Sequence, residues 1–126
     1  MIHHIDFAVG DFERSRAFYV DALAPLGIGL VMNLERENGR RLAGFGVLPD
    51  PTFWIRTGKG IGGRLHVAFS ANSRGAVDAF HQAALRAGGT DNGRPGLRPR
   101  YGEHYYAAFV LDPDGHNVEA VCRLPE

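Results

Sequence analysis

From His4 to Val9 the chain alternates. Ile5, Phe7 and Val9 form an apolar row, and His4, Asp6 and Ala8 face the other way. A period of two predicts a strand with one buried face. The alternation returns at Leu65, Val67 and Phe69 against His66, Ala68 and Ser70, and again at Val118, Ala120 and Cys122 against Asn117, Glu119 and Val121. In between, Val77, Phe80, Ala84 and Ala87 recur at spacings of three and four, the stripe of an amphipathic helix. Asp11 is placed to cap a first helix, and Asn72 or Ser73 a second that ends at Gly88-Gly89. After the first helix "GIGLVMNLE", "LAGFGVL" and "TFWIRT" read as short strands. After the second only "YYAAFVL" and "HNVEAVCR" do, and residues 91–106 read as a long loop.

These elements repeat. Residues 4–23, "HIDFAVGDFERSRAFYVDAL", align without a gap on residues 66–85, "HVAFSANSRGAVDAFHQAAL", bringing His4 onto His66 and Phe7 onto Phe69. The expectation is an α+β chain of two repeated βαβββ modules, about 1–60 and 61–126, forming a single domain over 1–126. A flexible Gly-rich joint, "TGKGIGG" at 57–63, connects them. Each half is too small to bury a core alone, so the two sheets are expected to form an open curved surface around a cleft.

Charge and cysteine content narrow the function. Lys+Arg and Asp+Glu balance at 14 each, giving no general electrostatic reason to bind nucleic acid or an anionic membrane. No apolar run suits a membrane span or a signal peptide, and the single cysteine excludes an internal disulfide, so a cytoplasmic protein with a buried, reduced thiol is expected.

Each of the three alternating strands carries a potential metal ligand on its non-core face: His4, His66 and Glu119. A lone strand histidine is more often a hydrogen-bonded structural residue than a ligand. Two at equivalent repeat positions, with no packing reason to be there, shift the balance toward a two-His, one-carboxylate site with open coordination positions. Asp6 shares the face of His4 and suits a base, a partner to a ligand, or an ion pair with an arginine. In residues 91–106, Arg94, Arg98, Arg100, Tyr101, Tyr105 and Tyr106 suit a substrate lip, arginines for an acid group and tyrosines for an apolar body; a solvated loop is the alternative. Phe53 and Trp54 are expected to pack, one of them lining the cleft, with Trp54 the candidate for substrate contact. His81 and His104 are expected at the surface, and His3 and His116 away from the site.

"HIDFAVGDFERSRAFY", "LHVAFSANSRGAVDAFHQAALRAGG" and "FVLDPDGHNVEAV" together resemble the vicinal oxygen chelate superfamily over essentially the whole chain. That group comprises glyoxalases, bleomycin-resistance proteins, extradiol dioxygenases and fosfomycin-resistance thiol transferases. The resemblance implies paired βαβββ modules opening around a divalent metal (Zn, Ni, Mn or Fe), commonly in a homodimer, with His4, His66 and Glu119 at the ligand positions. It also implies a small-molecule substrate that chelates the metal through neighbouring oxygens. Glyoxalase I enzymes carry a fourth ligand, usually Glu, on the last strand of the first module. Here, aligning Pro113-Asp114 with Pro49-Asp50 places Ile55 opposite Glu119, and no carboxylate is available in "TFWIRT". The expected activity is lyase, isomerase or thiol-transferase chemistry, with Glu119 and Asp6 catalytic and Arg98, Arg100, Tyr101, Tyr106 and Trp54 binding substrate. Alternatives are an Fe(II) extradiol-type dioxygenase and a non-catalytic drug- or metabolite-binding protein of the bleomycin-resistance type. In the dimer the modules pair within a chain or are exchanged between chains, an exchange that the Gly-rich joint makes inexpensive.

Overall fold

The computed structural model describes residues 1–61 and 64–126. Part of the Gly-rich joint, Gly62 and Gly63, lies outside the described residues. The first half runs β1 (Ile5–Val9), α1 (Phe12–Leu23), β2 (Gly29–Glu35), β3 (Arg41–Val47) and β4 (Asp50–Thr57). The second runs β5 (His66–Ser70), α2 (Arg74–Arg86), β6 (Thr90–Leu97), β7 (Tyr106–Leu111) and β8 (Asn117–Cys122). Both halves are therefore βαβββ, as the repeat requires. Asp11 caps α1 by accepting from Arg14 N–H at 3.1 Å, and Ser73, not Asn72, caps α2 by accepting from Ala76 N–H at 3.0 Å. Among the described residues no helix is long and apolar enough to cross a membrane.

The strands form two four-stranded sheets, in the orders β1-β4-β3-β2 and β5-β8-β7-β6. In each, the first and last strands of the module pair in parallel and the others antiparallel. The helix-bearing sides share one core, in which Phe18, Phe45 and Ile55 of the first half join Phe80, Val110 and Ala120 of the second. Phe53 on β4 meets Phe69 on β5 with ring centroids 5.2 Å apart. Among the described residues no strand pairing joins the two sheets, and alternation puts the non-core faces outward.

The stretch expected to be a loop is largely the strand β6. Its Gly93, Pro95 and Gly96 hide the strand pattern, and its pairing with β7 shifts register on both sides of Gly93. Pro95 is tolerated because β6 is an edge strand, where a missing N–H breaks no ladder. His81, expected at the surface, is buried on α2, with Nε2 2.9 Å from Asp91 Oδ1. That hydrogen bond holds the Asp91 carboxyl below the ordinary range and ties the helix to the start of β6.

A buried carboxylate joins the halves. Tyr19 on α1 donates its hydroxyl to Asp112 Oδ2 at 2.5 Å, while Asp112 Oδ1 accepts from the backbone N–H groups of Asp114 and His116. Burial, followed by the Asp112 charge, pushes the Tyr19 phenol well above its ordinary value. Tyr19→Phe should lower stability by roughly 1–3 kcal/mol, because it leaves one carboxylate oxygen unbonded in the interior. Urea denaturation at neutral pH measures this, and an unchanged midpoint would contradict it. A group whose folded pKa is raised contributes fully below its unfolded pKa, so the Tyr19 contribution should hold up to about pH 10 and fade above it.

Candidate functional site

The outward face of the second sheet holds the only close pairing among the expected ligands. His66 and Glu119 are diagonal neighbours on the parallel strands β5 and β8, where His66 is opposite Asn117 and Ala68 opposite Glu119. His66 Nε2 lies 2.8 Å from Glu119 Oε2, so the Nε2–H tautomer donates to the carboxylate. The other oxygen, Oε1, accepts the hydroxyl of Tyr105 at 2.5 Å. Glu119 is 2% exposed although it sits on the outward face, because its neighbours cover it. The His66 side chain remains 55% exposed. The Tyr105 phenol is pushed up to about 12, first by desolvation and then by its bond to the Glu119 carboxylate. It is therefore a permanent donor at physiological pH.

Tyr105, one of the tyrosines expected on the lip, is the partner of Glu119, a role that sequence reasoning did not assign to it. Counting back by twos from Phe109 and Ala107 places it on the face of Glu119, and Phe109 is in register with Glu119 on the adjacent strand. Phe109 also lies beside His66, with ring centroids 6.2 Å apart.

His4 belongs to the other sheet. It lies just before β1, exposed, with His3 Nδ1 2.9 Å from its own Nδ1. His3 was expected to point away; instead both imidazoles line an outward cleft of about 830 Å³, together with Asp6, Met32, Leu42 and Trp54. Among the described residues no three His, Cys, Asp or Glu side chains of one chain gather closely enough to hold a metal ion. His4, His66 and Glu119 are thus divided between two outward faces. Chemically the donors suit a divalent ion: an imidazole nitrogen and a carboxylate oxygen already meet through one proton, which a cation can replace.

The remaining candidates separate. Asp6 lies 3.1 Å from Arg56 Nε in a half-exposed ion pair. Trp54, not Ile55, is the counterpart of Glu119: Asp6 pairs with Trp54 as Ala68 pairs with Glu119, and Ile55 is buried in the core. The turn before β4 is shorter than the one before β8, which moves the match by one residue. The Trp54 indole lies over Gly44, where a Cβ would come within 2.9 Å of it. Tyr106 faces the opposite side from Tyr105 and donates to Asp78 on α2 at 2.7 Å, so strand alternation removes it from the lip. Arg100 stacks on Tyr101, 4.8 Å from its ring centroid, in the exposed 3-10 turn Pro99–Tyr101. Arg98 lies over Phe109, on the His66 face. His116 is buried and accepts from Leu65 N–H through Nδ1, and His104 is partly exposed beside Glu103.

Comparison with known proteins gives a consistent picture. The family model described as Glyoxalase/Bleomycin resistance protein/Dioxygenase superfamily matches residues 1–120. A glyoxalase/bleomycin resistance protein from Albidiferax ferrireducens T118 is 33% identical, with a TM-score of 0.72 over 97% of this chain and 98% of that one. Glyoxalase I from Zea mays shares the fold at 21% identity and a TM-score of 0.74, over 99% of this chain but 45% of the maize chain. A glyoxylase/bleomycin resistance protein/dioxygenase domain from Frankia sp. EAN1pec, 18% identical, shares it at 0.72 over 98% of both chains. None of the curated protein sequences matches significantly.

The hydrogen bond from Tyr105 should be visible as a titration. With ring-labelled tyrosine, NMR should show the Tyr105 phenol ionising near pH 12, and Glu119→Gln should bring it down by removing the carboxylate charge. The stabilisation from this bond should be complete below pH 10 and disappear between pH 10 and 12. A Tyr105 titration that Glu119→Gln leaves unmoved would refute the pairing.

Proposed function

The chain belongs to the glyoxalase/bleomycin resistance protein/dioxygenase superfamily, and on that premise we propose that it works as a homodimer with a metal site shared between copies. His4 of one copy would join His66 and Glu119 of the other around a divalent ion. The observation that carries this reading is the division of the donors, with one imidazole on the first outward face and an imidazole–carboxylate pair on the second. Closing one copy's first sheet over another copy's second sheet unites them and covers both faces.

When bound, such an ion supplies Lewis-acid polarisation of two neighbouring oxygens on a small substrate. The protein's part is orientation and proton transfer. Tyr105 holds Glu119 Oε1, which leaves Oε2 to face His66. Trp54, Met32 and Leu42 give the substrate an apolar wall and exclude water from it. With Trp54 in place of a second site carboxylate, Asp6 is the base available in that half, its charge balanced by Arg56. This arrangement suits isomerase, lyase or thiol-transferase chemistry. The apolar cleft beside His4 supports a second reading, a protein that holds a drug or metabolite without turnover.

Metal analysis of protein made without a His-tag tests the proposal. About one ion per chain is expected, lost in His4→Ala and in Glu119→Ala. Mixed dimers of these two variants should regain one intact site of the two, because the wild-type donors of each copy complete each other. An intrachain site would regain none. Tight, EDTA-insensitive ligand binding by a protein that takes up no metal would replace this reading with the binder. Iron together with catechol-dependent oxygen uptake would replace it with the dioxygenase.

A further inference from the structure

Four arginines form ion pairs among the described residues. Arg16 and Arg41 share Glu13, Arg56 has Asp6, and Arg74 has Glu126. Arg98 has no carboxylate partner among the described residues and is held by two other contacts. Its guanidinium lies over the Phe109 ring, 5.4 Å from the centroid, and Nη2 donates to the backbone carbonyl of Arg94 at 2.7 Å. Two glycines of β6 make the space. A Cβ at Gly93 would stand 3.3 Å from Nη2 and 2.8 Å from the Phe109 ring, and one at Gly96 would stand 3.1 Å from Nη1. The glycines thus form a cradle for a cation whose remaining N–H groups lack an acid partner. Phe109 links this cradle to the candidate site, since its ring contacts both Arg98 and His66. Two strand spacings separate β6 from β8, so the guanidinium lies on the order of 10 Å from Glu119.

We propose that Arg98 is the anion-binding residue of this face, and that the ligand is a small organic acid. Its carboxylate or phosphonate meets the guanidinium while its other end lies against His66 and Glu119. A planar guanidinium fixed on a ring is pre-oriented for two parallel N–H···O bonds to such a group, and little side-chain freedom is left to lose. The inference rests on reading the His66–Glu119 face as a ligand site. It requires neither a bound metal nor the shared-site dimer.

The test uses EDTA-treated full-length protein, so that a failure of the metal reading leaves it intact. Phenylphosphonate and phenylacetate are titrated at low salt and followed by ¹H–¹⁵N NMR, with benzyl alcohol as the neutral control. At least one acid should bind and shift the amides of Gly93 and Gly96, the tighter one identifying the acid group, whereas benzyl alcohol should leave both amides in place. Arg98→Ala should weaken binding at least about tenfold, the loss of one charge-assisted contact. Arg98→Lys should recover only part of it, and Arg86→Ala, on the exposed end of α2, should match wild type. Equal binding by Arg98→Ala, or shifts confined to other parts of the chain, would overturn the proposal. So would an Arg98→Ala protein that loses its dimeric state along with anion binding, which would assign the guanidinium to the subunit contact.

Discussion

Asp112 is a carboxylate in the interior, and the mutual placement of the two modules depends on its being fully bonded. An ionised group taken out of water is tolerated only when its lone pairs are satisfied. Three donors do this here: the Tyr19 hydroxyl from the first module, and two backbone N–H groups from the turn that follows Asp112 itself. The turn therefore has one low-energy position against α1. Its next acid, Asp114, adds a second tie by accepting from Gly10 N–H at 3.1 Å. With the helix sides of both sheets committed to a common core, strand alternation leaves the opposite rows outward. The polar rows that carry His4, His66 and Glu119 face away from the core for the same reason that Phe7, Phe69 and Ala120 face into it.

This division explains what could be read from the chain. Local chemistry was legible: the cap at Asp11, the α2 stripe and the alternation of three strands each follow from residues a few positions apart. The repeat supplied the long-range information, since a gap-free match of the two halves fixes their shared topology without knowledge of any contact. Where the halves diverge, the reading loses accuracy. β6 is held by its partner β7 and not by β-favouring residues, so composition conceals it. Trp54 was displaced by one position because turn length, which strand patterning does not encode, sets the register of β4. His81 falls four residues after Val77 and three before Ala84, at the edge of the buried stripe, where Asp91 supplies its hydrogen-bond partner.

Glu119 shows the limit of alternation in a different way. Its side chain points to the outward face, as the pattern requires, yet it is nearly inaccessible. Direction is set by the strand, but exposure is set by what neighbouring segments lay over it. Here the cover comes partly from Tyr105, a residue in the approach to β7, before the strand begins. Periodicity within one element carries no information about such a lid.

The exchange of roles between Trp54 and Glu119 has a stereochemical consequence. The two halves repeat the same path, so a molecule lying between equivalent strands of the two halves would, in a perfect duplication, meet the same surroundings in either direction. With an indole at one of the two matched positions and a carboxylate at the other, that equivalence is gone. One end of such a guest would meet a flat hydrocarbon surface and the other a charge, which favours one orientation over its reverse. A duplicated scaffold, chiral from the outset, has thereby lost the equivalence of its two ends and can distinguish the two ends of an unsymmetrical ligand.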